Sequence, residues 1–370
     1  MLDPKDVITD LLREADIRTD GKHPWDIRVT DNRFYARVVR DKSLGLGEGY
    51  MDGWWTCDRV DQLIERIMTS RLEDRLADNF RLRAALLATR LFNRQSRSRS
   101  YQVAERHYNL GNDLFFAFLD PYHQYSCGFF EDGDDVDTAQ RRKMDLICKK
   151  LALVPGDRVL DIGSGWGGLA KYAAERHGCE VTGINISDAQ IQYARRSCGG
   201  LPVTFRHQDY RDLTGAYDKI VSVGMFEHVG PKNHAGFMDT VHRCLKPDGI
   251  FLLHTIGNNE TGIHGDPWME KYIFPNGKLP SIRQLARSIE GRFVMEDWHN
   301  FGPDYDRTLM AWHRRFVDAW PELADRYGER FKRMWEYYLL SCAGAFRARR
   351  IQLWQVVLTH EGRRQPACRY

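Results

Sequence analysis

The segment RVLDIGSGWGG, residues 158–168, limits what this chain can fold into more than any other stretch. A short apolar run ends in four glycines within six residues, and GLAKYAAERHG follows with helical spacing. Glycine turns tightly and lets a ligand approach the backbone, and the helix that follows aims its first amides at that ligand. The surrounding sequence agrees with such a unit. RVLDIG, EVTGINI, PVTFRHQ, KIVSVGM and GIFLLHTI read as buried strands, while GGLAKYAAERHG, DAQIQYARRSC and NHAGFMDTVHRCL carry helical periodicity. Alternating β and α elements predict an α/β fold over residues 105–370, a doubly wound Rossmann-like sheet covered by helices.

Upstream the character changes. Residues 1–78 hold 13 basic and 17 acidic side chains and read as a small α+β domain. An acidic helix at Pro4–Ala15 precedes a strand-like IRV and a second helix at DQLIERIMTS, with the glycine-rich LGLGEGYMDGWW between them. Residues 79–104 carry six arginines and no acid. On a helix, Phe80, Ala84, Leu87 and Leu91 share one stripe, flanked by Arg83, Arg90, Arg94 and Arg97. That pattern suits a helix lying on an anionic membrane surface, and equally a linker helix with solvated arginines. The net charge of +3 over 370 residues lacks the footprint of a nucleic-acid binder. No stretch approaches the ~20 apolar residues that cross a bilayer. Eight cysteines without a CxxC pair, behind a start with no export pattern, lead us to expect a cytosolic, metal-free protein with reduced thiols.

The glycine turn admits two ligands. Gly163, Gly165 and Gly168 satisfy the GxGxxG spacing of a dinucleotide oxidoreductase. Asp161, two residues before the first glycine, would repel a pyrophosphate but suits the cationic amino-acid part of S-adenosylmethionine. The second strand ends in Gly183-Ile184-Asn185, without the acid an NAD ribose requires. Asp209, after the third strand and beside Tyr210, suits an adenine amino group. The pattern therefore favours a methyl donor held by Asp161, Gly163, Gly165, Gly167, Asp209 and Tyr210. Asn185 departs from the commonest methyltransferase pattern, so the ribose contacts are expected from Asn185 or Gln190.

Seven segments occur together and in order: HYNLGNDLFFAFLDP, YSCGFF, VLDIGSGWGG, SVGMFEHVGPKN, LKPDGIFLLHTIG, FGPDYDRTLMAW and SCAGAFRARRIQLWQ. In these the chain resembles bacterial cyclopropane-fatty-acyl-phospholipid synthases. The resemblance implies methylene transfer from S-adenosylmethionine to a cis double bond in a phospholipid acyl chain. An isolated alkene is a poor nucleophile, its attack leaves a carbocation, and a base must then remove a proton so that the ring closes. The resemblance implies that a bound bicarbonate is this base. The matching residues are Cys127, Glu227, His254, Ile256 and Tyr305, with Tyr125 and Ser126 as donor contacts. Cys342 in SCAGAF would be a reactive or structural thiol near the site. A homodimer is also implied, peripheral to the inner face of the cell membrane, with no obligate protein partner. A related lipid methyltransferase that does not close the ring is the alternative, and a non-catalytic lipid-binding module a remoter one.

Overall fold

A computed structural model describes residues 3–72, 111–262 and 265–370. The described residues form two compact units, one of 3–72, 111–118, 265–276 and 309–350, the other of 119–262, 277–308 and 351–370. The arginine-rich segment 79–104 lies outside the described residues.

The second unit is built on a seven-stranded sheet in the order β5-β4-β3-β6-β7-β9-β8. Its strands are β3 Arg158–Ile162, β4 Glu180–Asn185, β5 Val203–His207, β6 Tyr217–Val223, β7 Leu245–Asn258, β8 Val294–Asn300 and β9 Ile351–Thr359. Strands β3 to β7 run parallel, and β9 lies antiparallel between β7 and β8. Five strands fall where the sequence predicts them. The last two do not announce themselves, because VMEDWHN is polar and IQLWQVVL follows a helix without a turn signal.

Strand alternation sorts the core into two layers. Val159, Val181, Val221, Leu252 and Val357 face one layer, closed by the helices Val136–Lys150, Gly168–His177 and Asp188–Ser197. Leu160, Ile162, Ile220, Phe251 and Leu253 face the other, under the helices His234–Cys244 and Ile282–Ile289. Burial on both sides explains why β7 reads Ile-Phe-Leu-Leu without a polar break until His254. The chain reverses direction across the sheet between β3 and β6, so a crevice opens at their C-terminal ends.

In the first unit the helix Pro4–Glu14 and the helix Val60–Thr69 fall close to their predicted positions, and IRV contributes Arg28–Val29, β1, paired with Trp55–Thr56, β2. The glycine-rich stretch is a helix, Ser43–Met51, where its composition gives a connection. Its glycines allow contact: a Cβ on Gly47 would run into the Trp268 indole, and one on Gly49 would lie 3.2 Å from Trp55. Glu48 on that helix is buried, accepting from Lys271 Nζ at 2.6 Å, from Tyr272 OH at 2.8 Å and from Arg37. The helix Glu329–Arg347 packs against Val60–Thr69, with Arg347 Nη1 donating to buried Asp61 at 2.8 Å.

Candidate active site

The turn after β3 holds Gly163, Gly165 and Gly167 at φ +87°, +52° and +84°. Two of these show why glycine is required. A Cβ on Gly167 would sit 2.6 Å from Phe205 Cζ and 2.9 Å from Ala194 Cβ, whereas one on Gly165 meets nothing within 4 Å. The turn is thus braced from behind and open at Gly165, where backbone can meet a ligand. The Gly163 and Ser164 amides both donate to Ile184 O at 3.0 Å, tying the turn to β4. Asn185, ending β4, donates to Gln190 Oε1 at 2.8 Å and to Gly165 O at 3.3 Å. Asp209 accepts from the amide and side chain of Arg211, both at 2.9 Å, and Tyr210 rests on Phe237 with ring centroids 5.2 Å apart.

Asp161 shares the face of Val159 and lies in the buried layer under the helix Val136–Lys150. Burial pushes its carboxyl up to about 7, against the pull of the Lys143 ammonium.

The second group of predicted residues assembles at the ends of β6 and β7. Glu227 follows β6 in the single turn Phe226–His228, and His254 pairs in register with Val223. The Ile256 amide donates to Glu227 Oε1 at 2.7 Å, leaving Oε2 buried without a hydrogen-bond partner. Burial raises the Glu227 carboxyl to about 7. His254 is fully buried. Its Nδ1 lies 3.3 Å from Gln355 Nε2 on β9, and its Nε2 has no partner. Burial, with Lys143 and Lys150 adding to it, pushes its pKa well below the ordinary imidazole range, so the ring is neutral. With Nδ1 accepting from the Gln355 amide, Nε2 carries the proton.

Cys127 joins this group through aromatic rings. His254 lies 5.8 Å from Phe301, and Phe301 lies 5.4 Å from Phe129, two residues beyond Cys127. The helix Gly302–Tyr327 opens with Asp304, Tyr305 and Thr308. Asp304 accepts from the Phe130 amide at 3.0 Å, and Thr308 accepts from the Gly128 amide at 3.0 Å. Tyr305 is buried in the turn between them. The Cys127 thiol is neutral, raised well above its usual range by burial, and donates to Gly128 O at 3.1 Å. No described residue accepts from the Cys127 amide. Cys342 lies on the helix Glu329–Arg347 of the first unit, its thiol pushed up to about 12 by burial.

Sequence reasoning missed Lys143, Gln355 and Thr308. Lys143 and Lys150 are both fully buried on Val136–Lys150. The signal was their spacing: 143, 147 and 150 form one helical stripe, so two lysines share the stripe with apolar Ile147. Among the described residues no cluster of three or more acids, histidines or cysteines is arranged to hold a metal ion. No helix there is long and apolar enough to cross a membrane.

A parallel sheet with one reversed strand, switching at a glycine turn preceded by a buried acid, defines an S-adenosylmethionine-dependent methyltransferase of Rossmann-like fold. Solved structures agree: a cyclopropane synthase of Mycobacterium tuberculosis superposes with a TM-score of 0.65 at 31% identity, covering 70% of this chain and 97% of that one. A mycolic acid cyclopropane synthase complexed with S-adenosylhomocysteine and CTAB gives 0.64 at 30% identity, with the same coverage of both chains. The chain belongs to the mycolic acid cyclopropane synthetase family, whose pattern matches residues 95–356. It is also 56% identical, over 95% of its length and 92% of the other's, to the cyclopropane-fatty-acyl-phospholipid synthase of Escherichia coli strain K12.

Proposed function

We propose that this enzyme transfers a methylene from S-adenosylmethionine to the cis double bond of an unsaturated phospholipid acyl chain, forming a cyclopropane. The likeness to the Escherichia coli phospholipid enzyme supports the substrate, since it extends through the first unit and beyond the family match. The observation that carries the ring-closing chemistry is the set of buried polar atoms without partners: Glu227 Oε2, His254 Nε2 and the Cys127 amide.

The alkene π electrons attack the sulfonium methyl, the S–CH₃ bond breaks, and S-adenosylhomocysteine leaves. The carbocation that remains must meet no water. Phe129 and Phe301 offer ring faces that stabilise a cation and keep the site dry. A proton must then leave the transferred methyl so that its C–H electrons close the ring. The unpartnered atoms fit a bicarbonate ion, one acceptor for its hydroxyl and two donors for its oxygens. Glu227, His254 and Cys127 would hold it, with Tyr305 alongside, and when bound it supplies the base. The Ile256 amide, expected on the ion itself, donates instead to Glu227 Oε1 and so aims Oε2. Cys127, a neutral thiol, serves here without forming a covalent bond to substrate, and the chemistry asks for no nucleophile from the neutral Cys342 thiol.

The same reading makes the protein a peripheral, cytoplasmic-face homodimer, with Arg83, Arg90, Arg94 and Arg97 meeting anionic lipid. Purified protein, S-adenosylmethionine and vesicles of unsaturated phospholipid test the activity. The expected product is a fatty acid heavier by one CH₂ without its alkene. A methyl-branched product means transfer without ring closure, and no product from folded enzyme overturns the reading. Charge reversal at the four arginines is expected to weaken vesicle binding, most strongly at low salt.

A further inference from the structure

Lys143 is 0% exposed, and no step of the chemistry above uses it. Burying an ammonium is costly unless its hydrogens are satisfied, and burial lowers this one to about 8. Its Nζ donates to Gln124 Oε1 at 2.7 Å and to Ser126 Oγ at 2.8 Å. Both acceptors lie on the irregular segment before Cys127, which the same helix grips again where Gln140 Nε2 donates to Ser126 O at 2.7 Å. Asp120, itself buried, closes the start of the segment by accepting from the Tyr122 and Gln124 amides at 2.9 and 2.7 Å.

This segment lies against the glycine turn. A Cβ on Gly168, the first residue of the helix after the turn, would collide with Tyr122 O and lie 2.5 Å from Gln124 Nε2. The helix Val136–Lys150 therefore sets how residues 122–126 cross that helix N-terminus. The consequence falls on Ser126. A hydroxyl has one proton and two lone pairs. Because Lys143 donates to Ser126 Oγ, the Ser126 proton must point elsewhere, and no described residue accepts it. The result is a buried O–H beside an ammonium, the donor pair that would face a carboxylate at the amino-acid end of the methyl donor.

We propose that Lys143 is a positioning residue for the methyl donor: by donating to Ser126 and Gln124 it turns the Ser126 hydroxyl toward the donor's carboxylate. Lys143 acts through Ser126 and does not touch the reacting methyl. The inference rests on the methyl-donor reading of the site and is independent of the lipid.

The test compares two ligands, measured by calorimetry without lipid, so its outcome is separate from the phospholipid proposal. S-adenosylhomocysteine carries the carboxylate, whereas 5′-methylthioadenosine keeps adenine, ribose and sulfur but lacks the amino-acid end. Lys143→Met is expected to weaken S-adenosylhomocysteine by at least about tenfold while 5′-methylthioadenosine stays within about twofold. Kinetically, KM for S-adenosylmethionine should rise with KM for lipid unchanged. Ser126→Ala should reproduce the ligand pattern, and the double variant should lose little more than either single one. A general packing defect would weaken both ligands alike, and that result overturns the proposal. So does unchanged binding of S-adenosylhomocysteine. If Lys143→Met does not fold, Ser126→Ala carries the same comparison, and equal loss of both ligands in that variant rejects the assignment.

Discussion

Around the glycine turn the polar groups are hydrogen-bonded to close neighbours, Asn185 to Gly165 and Gln190, Asp209 to Arg211. At the ends of β6 and β7, Glu227, His254 and Cys127 come from three distant segments and leave polar atoms unpaired in the protein interior. The polar groups that end β4 and follow β5 in the first region are satisfied by their neighbours. The second is poised at a cost, because each unpaired buried group gives up solvation that nothing in the protein returns. A site for a soluble donor can open to water, but a site for a carbocation cannot. The contrast follows from the chemistry each must handle.

The sharpest way to break this contrast is Glu227→Gln. It should cut turnover by at least about 100-fold, because an amide is a poor substitute for a hydrogen-bond-accepting carboxylate. Calorimetry should find S-adenosylhomocysteine bound as before; loss of both would merge the two regions into one. In the wild type, ionised Glu227 is the accepting form, so turnover should climb as pH rises through about 7. Stability should move the other way. The folded carboxyl, at about 7, holds its proton more tightly than the ordinary value of 4.5, so its contribution is complete below 4.5 and is lost as pH rises through about 7. Glu227→Gln escapes that loss and should be the more stable protein at pH 8, by at most about 3 kcal/mol.

Next in size is His254→Ala, expected to lower turnover by about 10- to 100-fold through loss of one buried donor. Because burial keeps His254 neutral, the rise near pH 7 should belong to Glu227 and should be absent from Glu227→Gln, with no further limb from the imidazole. Gly165→Ala addresses the other region. At φ +52° with open space around it, the alanine should cost about 1 kcal/mol of stability but weaken S-adenosylhomocysteine at least tenfold. Unaltered ligand binding would mean that the donor does not lie against this turn. Smallest of all, Cys342→Ser should leave turnover within about twofold, since a thiol raised to about 12 carries almost no thiolate at neutral pH.

The two regions also differ in how far the sequence exposes them. The donor side is one run of residues, and its glycines carry their reason locally, so RVLDIGSGWGG is legible unaided. Glu227 and His254 can be placed at strand ends, but neither tells a reader what faces it. Gln355, the partner of His254, sits on a strand whose sequence does not read as one, and the pairing spans 101 residues. Lys143 is hidden differently. It stands among Arg141, Arg142, Lys149 and Lys150, and only the helical stripe separates the buried members from the solvated ones. The glycine-rich Ser43–Met51 misleads for a related reason: its glycines answer to the indoles of Trp268 and Trp55, which composition does not reveal.

The placement of β9 also bears on the order in which the protein can be made. This strand is the last of the sheet in sequence yet sits inside it, bonded to β7 on one edge and β8 on the other. The first unit in turn draws on residues 309–350, which precede β9 by little. During synthesis, then, β7 and β8 emerge with the backbone edges that β9 will pair still open, and neither unit has all its described parts until residues past 350 are out. Pairings this distant in sequence are slow to form and leave hydrogen-bonding edges available to other chains meanwhile. A nascent polypeptide halted before Ile351 would thus be a natural client for chaperones, and removal of β9 should yield insoluble protein rather than a weakened enzyme.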